Sequence, residues 1–186
     1  MSGNIEDGLA QADEHNFTRP IPKSAQARVK FLLKTEKNSV KAVAQRLGIS
    51  PRTVERYLKG QIKTPRPELA RRLESEVRKS WQPLVRKRAR AKAAKTTGLV
   101  VETRARFGFT AAPGTTDDGR MRRITQHLPP EYASRLFAAQ EAGATEAELR
   151  HITAQGLQDV YFRDQGSRAP GLLVDFTDID YIDFDF

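Results

Sequence analysis

The sequence has 186 residues, of which 38% are hydrophobic and 30% charged, and its formal net charge is +9. It contains no cysteine, which excludes disulfides and thiolate metal sites, and no apolar run long enough to span a membrane. The acidic first residues lack the apolar core of a signal peptide. The strong excess of positive charge predicts a polyanionic partner, so we expect a cytoplasmic protein associated with the nucleoid.

The charge is divided sharply along the chain. Residues 1–18 contain four acids and no Lys or Arg, residues 19–98 contain 23 Lys and Arg against 5 acids, and residues 99–186 contain 9 against 14. Such a split is typical of a nucleic-acid-binding part joined to a part with another role. We predict an acidic segment at 1–18, a DNA-binding domain at 19–82, a basic helical linker at 83–98 and an α+β domain at 99–186.

Serine caps and apolar spacing predict helices in the basic half. Ser24, Ser39 and Ser50 each precede apolar residues spaced three and four positions apart, and serine is a favoured N-cap. The predicted helices are 25–35, 40–47, a third that ends at Gly60, and a fourth on which Leu69, Leu73, Val77 and Trp81 recur every fourth residue.

The segment from Ser39 to Gly60 has the pattern of a helix-turn-helix. Gly48 allows a tight turn between two short helices, and residues near the start of the second helix would face base edges in the major groove of DNA. An ordinary basic helical bundle, or a helix-turn-helix used for protein contacts, is the alternative. The predicted base contacts come from Arg52, Thr53 and Arg56, and the predicted phosphate contacts from Lys41, Arg46, Lys59 and Lys63.

The basic run from Arg86 to Lys95 has two interpretations. Such a run is most often the solvated face of a helix. It is also typical of a segment that lies along the phosphate backbone of DNA.

The second half changes its hydrophobic period from about 3.6 to about 2 at Leu99, which predicts a long strand with a polar, basic face. A second strand is predicted at 120–128, two helices at 131–142 and 146–162, and one or two strands in the acidic tail. The fold class is therefore α+β, with an all-helical helix-turn-helix domain followed by a smaller domain of antiparallel strands and two helices. Charge on the tail strands is typical of a soluble sheet edge.

The predicted turn between the first two strands contains Thr115 and Thr116 beside Asp117 and Asp118. No His or Lys lies nearby to act as a base, so a catalytic triad is excluded. A nuclease would need a third carboxylate, which is not evident. The remaining interpretations are an exposed acceptor hydroxyl and a hairpin loop in which Asp and Thr cap turns.

Arginines flank this loop. Arg104, Arg106, Arg120, Arg122 and Arg123 either supply positive charge beside it or form a surface ladder with Asp117, Asp118 or Glu102.

The chain resembles the telomere terminal proteins (Tpg family) of Streptomyces-type linear chromosomes and plasmids. The resemblance extends from about Phe17 to the end. It depends on the joint order of TRPIPKSA, KAVAQRLGISPRTVERYLKGQIKTPRPELARRLE, VRKSWQP, TRARFGFTAAPGTTDDGRMR, QEAGAT and VYFRDQG.

The resemblance implies a protein primer, and not an enzyme, that is attached covalently to the 5′ ends of a linear replicon. A threonine hydroxyl accepts the first nucleotide, and the family's acceptor maps to the PGTTDD loop, where Thr115 is favoured over Thr116. The implied partners are telomeric DNA ends with a 3′ overhang, a telomere-associated protein and a DNA polymerase. No cofactor of its own is implied, because the polymerase brings Mg²⁺ and the dNTP. The alternative function is a sequence-specific helix-turn-helix transcriptional regulator whose C-terminal half dimerises or binds an effector.

Overall fold

The structure is a computed structural model, and it describes residues 3–110, 120–162 and 173–186. Its helices are α1 (Ile5–His15), α2 (Ala25–Thr35), α3 (Val40–Leu47), α4 (Pro51–Leu58), α5 (Pro67–Ser80), α6 (Pro83–Lys92), α7 (Pro130–Glu141) and α8 (Glu146–Leu157), with π-helical turns at Ala93–Thr97 and Gln158–Phe162. The strands are β1 (Leu99–Thr110), β2 (Arg120–Leu128) and β3 (Leu173–Asp185). The predicted α+β class is confirmed.

The chain forms two compact units. The helical unit is Thr18–Pro83, and the sheet unit combines Met1–Phe17 with Leu84–Phe186.

Serine capping defines the helix starts in the helical unit. The side chains of Ser24, Ser39 and Ser50 each accept a hydrogen bond from the backbone N–H three residues later, which satisfies a donor that the helix itself leaves unpaired. All three predicted caps are therefore confirmed. The helices share one core of buried apolar side chains: Val29, Leu32, Val43, Leu47, Val54, Tyr57, Leu73 and Val77.

The sheet unit contains a three-stranded antiparallel sheet of order β2-β1-β3. On β1, Val101, Ala105 and Phe107 are fully buried, whereas Arg104 and Arg106 are exposed. The predicted alternation is confirmed, because one face of the sheet shares a core with α1, α7 and α8 and the other carries charge. The acidic tail supplies the single strand β3, which pairs with β1.

The N-terminal segment differs from its prediction. The sequence predicts an acidic segment at 1–18, whereas the structure has α1 there, and Ile5, Leu9 and Ala12 are fully buried in the core of the sheet unit. Asp13 is also buried, at 4% exposure. Its carboxylate pairs with Arg90 at 2.7 Å.

The predicted linker at 83–98 also belongs to the sheet unit from Leu84 onward. Ala93, in the π-helical turn that follows α6, is fully buried in the same core. The physical reason is the same for the N-terminal segment and for the predicted linker. A few apolar residues bury enough surface to fold a segment whose composition is dominated by charge.

Candidate DNA interface

The turn between α3 and α4 is short and fixed by backbone hydrogen bonds. Gly48 ends α3 with a φ of 66°, a left-handed conformation that glycine adopts without steric cost. The Ile49 N–H donates to the Ala44 carbonyl at 3.0 Å, and Ser50 caps α4 directly afterwards. Pro51 occupies the first turn of α4, where its missing N–H costs nothing. The two helices are thus held at a defined angle by three connecting residues.

Arg72, on α5, fixes the same turn from outside. Its Nη1 donates a hydrogen bond to the Leu47 carbonyl at 2.8 Å, at the negative end of the α3 dipole. A Cβ at position 48 would collide with this nitrogen. Glycine is therefore required at position 48 both for the backbone conformation and for the approach of Arg72.

We expect Gly48→Ala to lower the free energy of unfolding of the helical unit by about 2–3 kcal/mol. The left-handed backbone accounts for about 1–2 kcal/mol, and displacement of the Arg72 hydrogen bond adds about 1 kcal/mol. Urea titration of the full chain measures both. Gly143→Ala is the matched control, because Gly143 has a φ of 81° but a methyl group added there would meet no atom within 4 Å.

In an Arg72→Ala background, the cost of Gly48→Ala should fall to that of Gly143→Ala. An unchanged cost in that background would contradict the role assigned to Arg72.

Helix α4 presents a basic face to solvent. Val54 and Tyr57 are buried, which turns Arg52 and Arg56 outward, one helical turn apart. Within the residues that the structure describes, neither guanidinium has a hydrogen-bond or ion-pair partner. Thr53 is half-buried, and its hydroxyl lies 2.9 Å from that of Ser50, so it takes part in the helix cap. The two arginines are thus the free, forked donors on this face.

Residues 22–63 match the family described as Homeodomain-like domain. This segment is a helix-turn-helix DNA-binding domain. It covers α2, α3 and α4, so α4 occupies the position of the helix that enters the major groove in such domains. No curated protein and no solved structure matches the chain.

Three of the predicted phosphate contacts have side chains available around the helix-turn-helix. Lys41, Lys59 and Lys63 are exposed, and none has an ion pair in the described part of the chain. Their role in DNA binding stays a prediction.

Arg46 has a different role from the one predicted. It pairs with Glu36 at 2.8 Å and with Glu76 at 2.5 Å, and it donates to the Ser80 hydroxyl at 2.6 Å. Burial alone would lower the pKa of Arg46, but the hydrogen bonds to the two glutamates outweigh it and raise the pKa. Arg46 therefore ties α3 to α5, and we correct its assignment from phosphate contact to structural residue.

A groove of about 630 Å³ lies beside α4 in the same unit. Its lining includes Thr53, Arg56, Arg66 and Arg72, together with Glu68. Arg66 precedes α5 and is exposed, and sequence reasoning missed it because it lies in a proline-rich loop without a helical pattern.

Tyr57 also lines this groove. Burial raises the pKa of its hydroxyl, and the charges of Arg56 and Arg66 oppose that rise. Both arginines therefore act on the same groove, and Arg66 joins the candidate DNA contacts.

The proposed acceptors, Thr115 and Thr116, lie outside the described residues. In the chain they fall between β1 and β2, which pair in continuous antiparallel register as far as Phe107 with Arg120.

The arginines of the sheet are paired. Arg104 and Arg106 lie 3.4 Å from Asp180 and Asp178 of β3, respectively. These aspartates are partners that the sequence analysis did not name.

Arg123 pairs with Glu102 at 2.6 Å, as the ladder interpretation predicted. The hydrogen bonds that Arg123 and Tyr181 donate to Glu102 lower the pKa of its carboxyl. Arg122 is half-buried, with its guanidinium 5.9 Å from the centre of the Phe162 ring. The side chain of Arg120 lies outside the described residues.

The described part of the chain contains no cluster of His, Asp or Glu side chains placed to hold a metal ion. Among its helices, none is long and apolar enough to cross a membrane.

Proposed function

We propose that this chain is a telomere terminal protein, a DNA-binding protein that primes synthesis at the end of a linear replicon and stays attached to its 5′ end. The observation that carries the DNA-binding part is the basic face of α4, where Arg52 and Arg56 are exposed and have no partner among the described residues. The ordered motifs shared with terminal proteins, which span both units, support the priming part.

In the proposed reaction a threonine hydroxyl, Thr115 in preference to Thr116, attacks the α-phosphate of the first dNTP. A new bond forms between the threonine oxygen and phosphorus, the bond to pyrophosphate breaks, and the hydroxyl proton passes to a base of the polymerase. The polymerase also supplies Mg²⁺, which polarises the phosphate and stabilises the leaving group. The chain contributes the hydroxyl oxygen that accepts the nucleotide, and its helix-turn-helix contributes the binding to DNA.

The charged face of the sheet supports a mechanism in which the polymerase supplies the base and Mg²⁺ and this chain supplies the acceptor hydroxyl. The ion pairs of Arg104 and Arg106 are solvent-exposed, with side-chain exposures of 48–69% among the four partners. Exposed pairs of this kind contribute little to stability. Template phosphates can therefore replace the aspartates without a large penalty.

The second candidate is a sequence-specific transcriptional regulator. The homeodomain-like match is equally compatible with it, because it concerns only residues 22–63. A regulator would bind an internal duplex site and would have no use for Thr115.

Incubation with labelled dNTPs separates the two functions. The full chain is mixed with a DNA polymerase from the native host, its telomere-associated protein, and a telomeric duplex carrying a 3′ overhang. We expect label that stays on the protein through denaturing electrophoresis and depends on both polymerase and overhang. Absence of label, together with tight binding to an internal duplex, would support the regulator instead.

A further inference from the structure

Helix α6 has two faces with different surroundings, although its sequence reads as one basic run. Arg86 and Arg90 face the interior of the sheet unit, where they lie 3.4 Å and 2.7 Å from the buried carboxylate of Asp13. Arg90 also donates to Gln140 and lies over the ring of Phe137 at 4.8 Å. These two arginines are structural, because a buried carboxylate without them would carry an uncompensated charge.

The remaining cations of this region face solvent. Lys87, Arg88, Lys92 and Lys95 are all exposed. In the described part of the chain none of these four side chains has a hydrogen bond or an ion pair. No acidic residue occurs between Glu76 and Glu102.

Helix α5 provides a comparison, because two of its cations pair with carboxylates of the same helix. Its cations Arg78 and Lys79 lie 3.3 Å and 3.7 Å from Glu74 and Glu76, one turn away on the same helix. Such pairing reduces the repulsion between neighbouring like charges. Helix α6 carries a comparable number of cations without any carboxylate on its own length, so its exposed cations have no such partner on the same helix.

The spacing of these cations fits a polyphosphate. Arg88 and Lys92 are one turn apart, about 6 Å along a helix axis. Along one strand of duplex DNA a phosphate recurs about every 3.4 Å of the helix axis, so both cations can reach phosphates of the same backbone.

We propose that the exposed row formed by Lys87, Arg88 and Lys92 of α6 and by Lys95 of the π-helical turn that follows it is a second DNA-binding surface that contacts the phosphate backbone without regard to sequence. It belongs to the sheet unit, whereas base contacts belong to the helical unit. Because α6 begins where the helical unit ends in the chain, binding of the helix-turn-helix raises the effective concentration of the same DNA molecule near α6. The proposal rests on the DNA-binding part of the proposed function, and not on priming.

The test is the salt dependence of DNA binding by the full chain carrying Arg88→Gln and Lys92→Gln. Each lost phosphate contact should reduce the magnitude of the negative slope of log K against log salt by about 0.9. A rise in salt from about 50 to about 200 mM should then cost this variant about tenfold less affinity than it costs the wild type. The loss at low salt should be equal for a telomeric and for a random duplex of the same length.

The matched control is Lys30→Gln with Lys34→Gln, which removes the same charge from the exposed side of α2. We expect its slope to stay at the wild-type value. Equal slopes for all three proteins would overturn the inference while leaving DNA binding intact, and equal reductions in both variants would show an effect of net charge alone. A loss confined to the telomeric duplex would also overturn it, whereas failure of the wild type to bind any duplex would refute the proposed function itself.

Discussion

Replacing both candidate acceptors, with Thr115→Val and Thr116→Val, is expected to abolish covalent transfer of nucleotide to the chain. Valine keeps the shape of threonine but lacks the hydroxyl oxygen, so no bond to the α-phosphate can form. The measurement is the labelled-dNTP reaction with polymerase and overhanging duplex, quantified after denaturing electrophoresis. DNA affinity should be unchanged, because the proposed base contacts lie in the helical unit.

Thr125→Val is the matched control for this loss. Thr125 is an exposed threonine on β2, the strand that follows Thr115 and Thr116 in the chain. The Thr125→Val variant should be labelled at the wild-type level. Among the single variants, Thr115→Val is expected to lose most of the label and Thr116→Val little. Undiminished labelling of the double variant would contradict the hypothesis that Thr115 or Thr116 accepts the nucleotide.

The second large effect is expected from Arg52→Gln combined with Arg56→Gln. Each bidentate contact between arginine and guanine is worth about 1–3 kcal/mol, so the double variant should lose affinity for its cognate duplex by about 30-fold or more. Glutamine keeps much of the side-chain length and removes the charge. Fluorescence anisotropy with cognate and random duplexes at one salt concentration measures the effect.

The loss should be larger on cognate than on random DNA, since base contacts specify and phosphate contacts do not. Lys30→Gln with Lys34→Gln again removes two charges from the same unit and should lose much less. Equal losses on both duplexes would show that the arginines bind only phosphates. Labelling on a saturating template should persist in the double variant, and its disappearance with DNA affinity intact would contradict the separation of docking from priming.

Much of the helical unit could be predicted because its signals are local. A serine cap accepts a hydrogen bond from the N–H three residues later, and Gly48 supplies the left-handed backbone conformation that begins the turn. Sequence spacing therefore contains the physical cause of the caps and of the left-handed turn, whereas the contact of Arg72 with Leu47 is tertiary. The face of α4 follows for the same reason, because burial of Val54 and Tyr57 determines which side chains turn outward.

Arg46 and Arg66 could not be assigned from spacing. The partner of Arg46, Glu76, is 30 residues away on another helix. Where no such partner is known, the sequence favours a phosphate contact for a basic residue in a basic segment. Arg66 acquires significance only because α5 places it at the same groove as Arg56.

The N-terminal helix was missed because composition outweighed pattern. Four acids in residues 1–18 indicate a solvated segment, yet Ile5, Leu9 and Ala12 recur at helical spacing. That stripe, with Asn4 as its cap, was the available signal. The burial of Asp13 between the arginines of α6 depends on tertiary contacts, so no local pattern could show it.

The proposed covalent bond between this chain and a DNA end is tested most directly by mass spectrometry of the peptide that remains on DNA ends isolated from the native host after protease digestion. We predict a peptide from the segment 111–119 in which the hydroxyl oxygen of Thr115 is joined through phosphate to the terminal 5′ nucleotide. DNA ends free of any peptide from this chain, or a nucleotide bonded to a residue outside that segment, would contradict it.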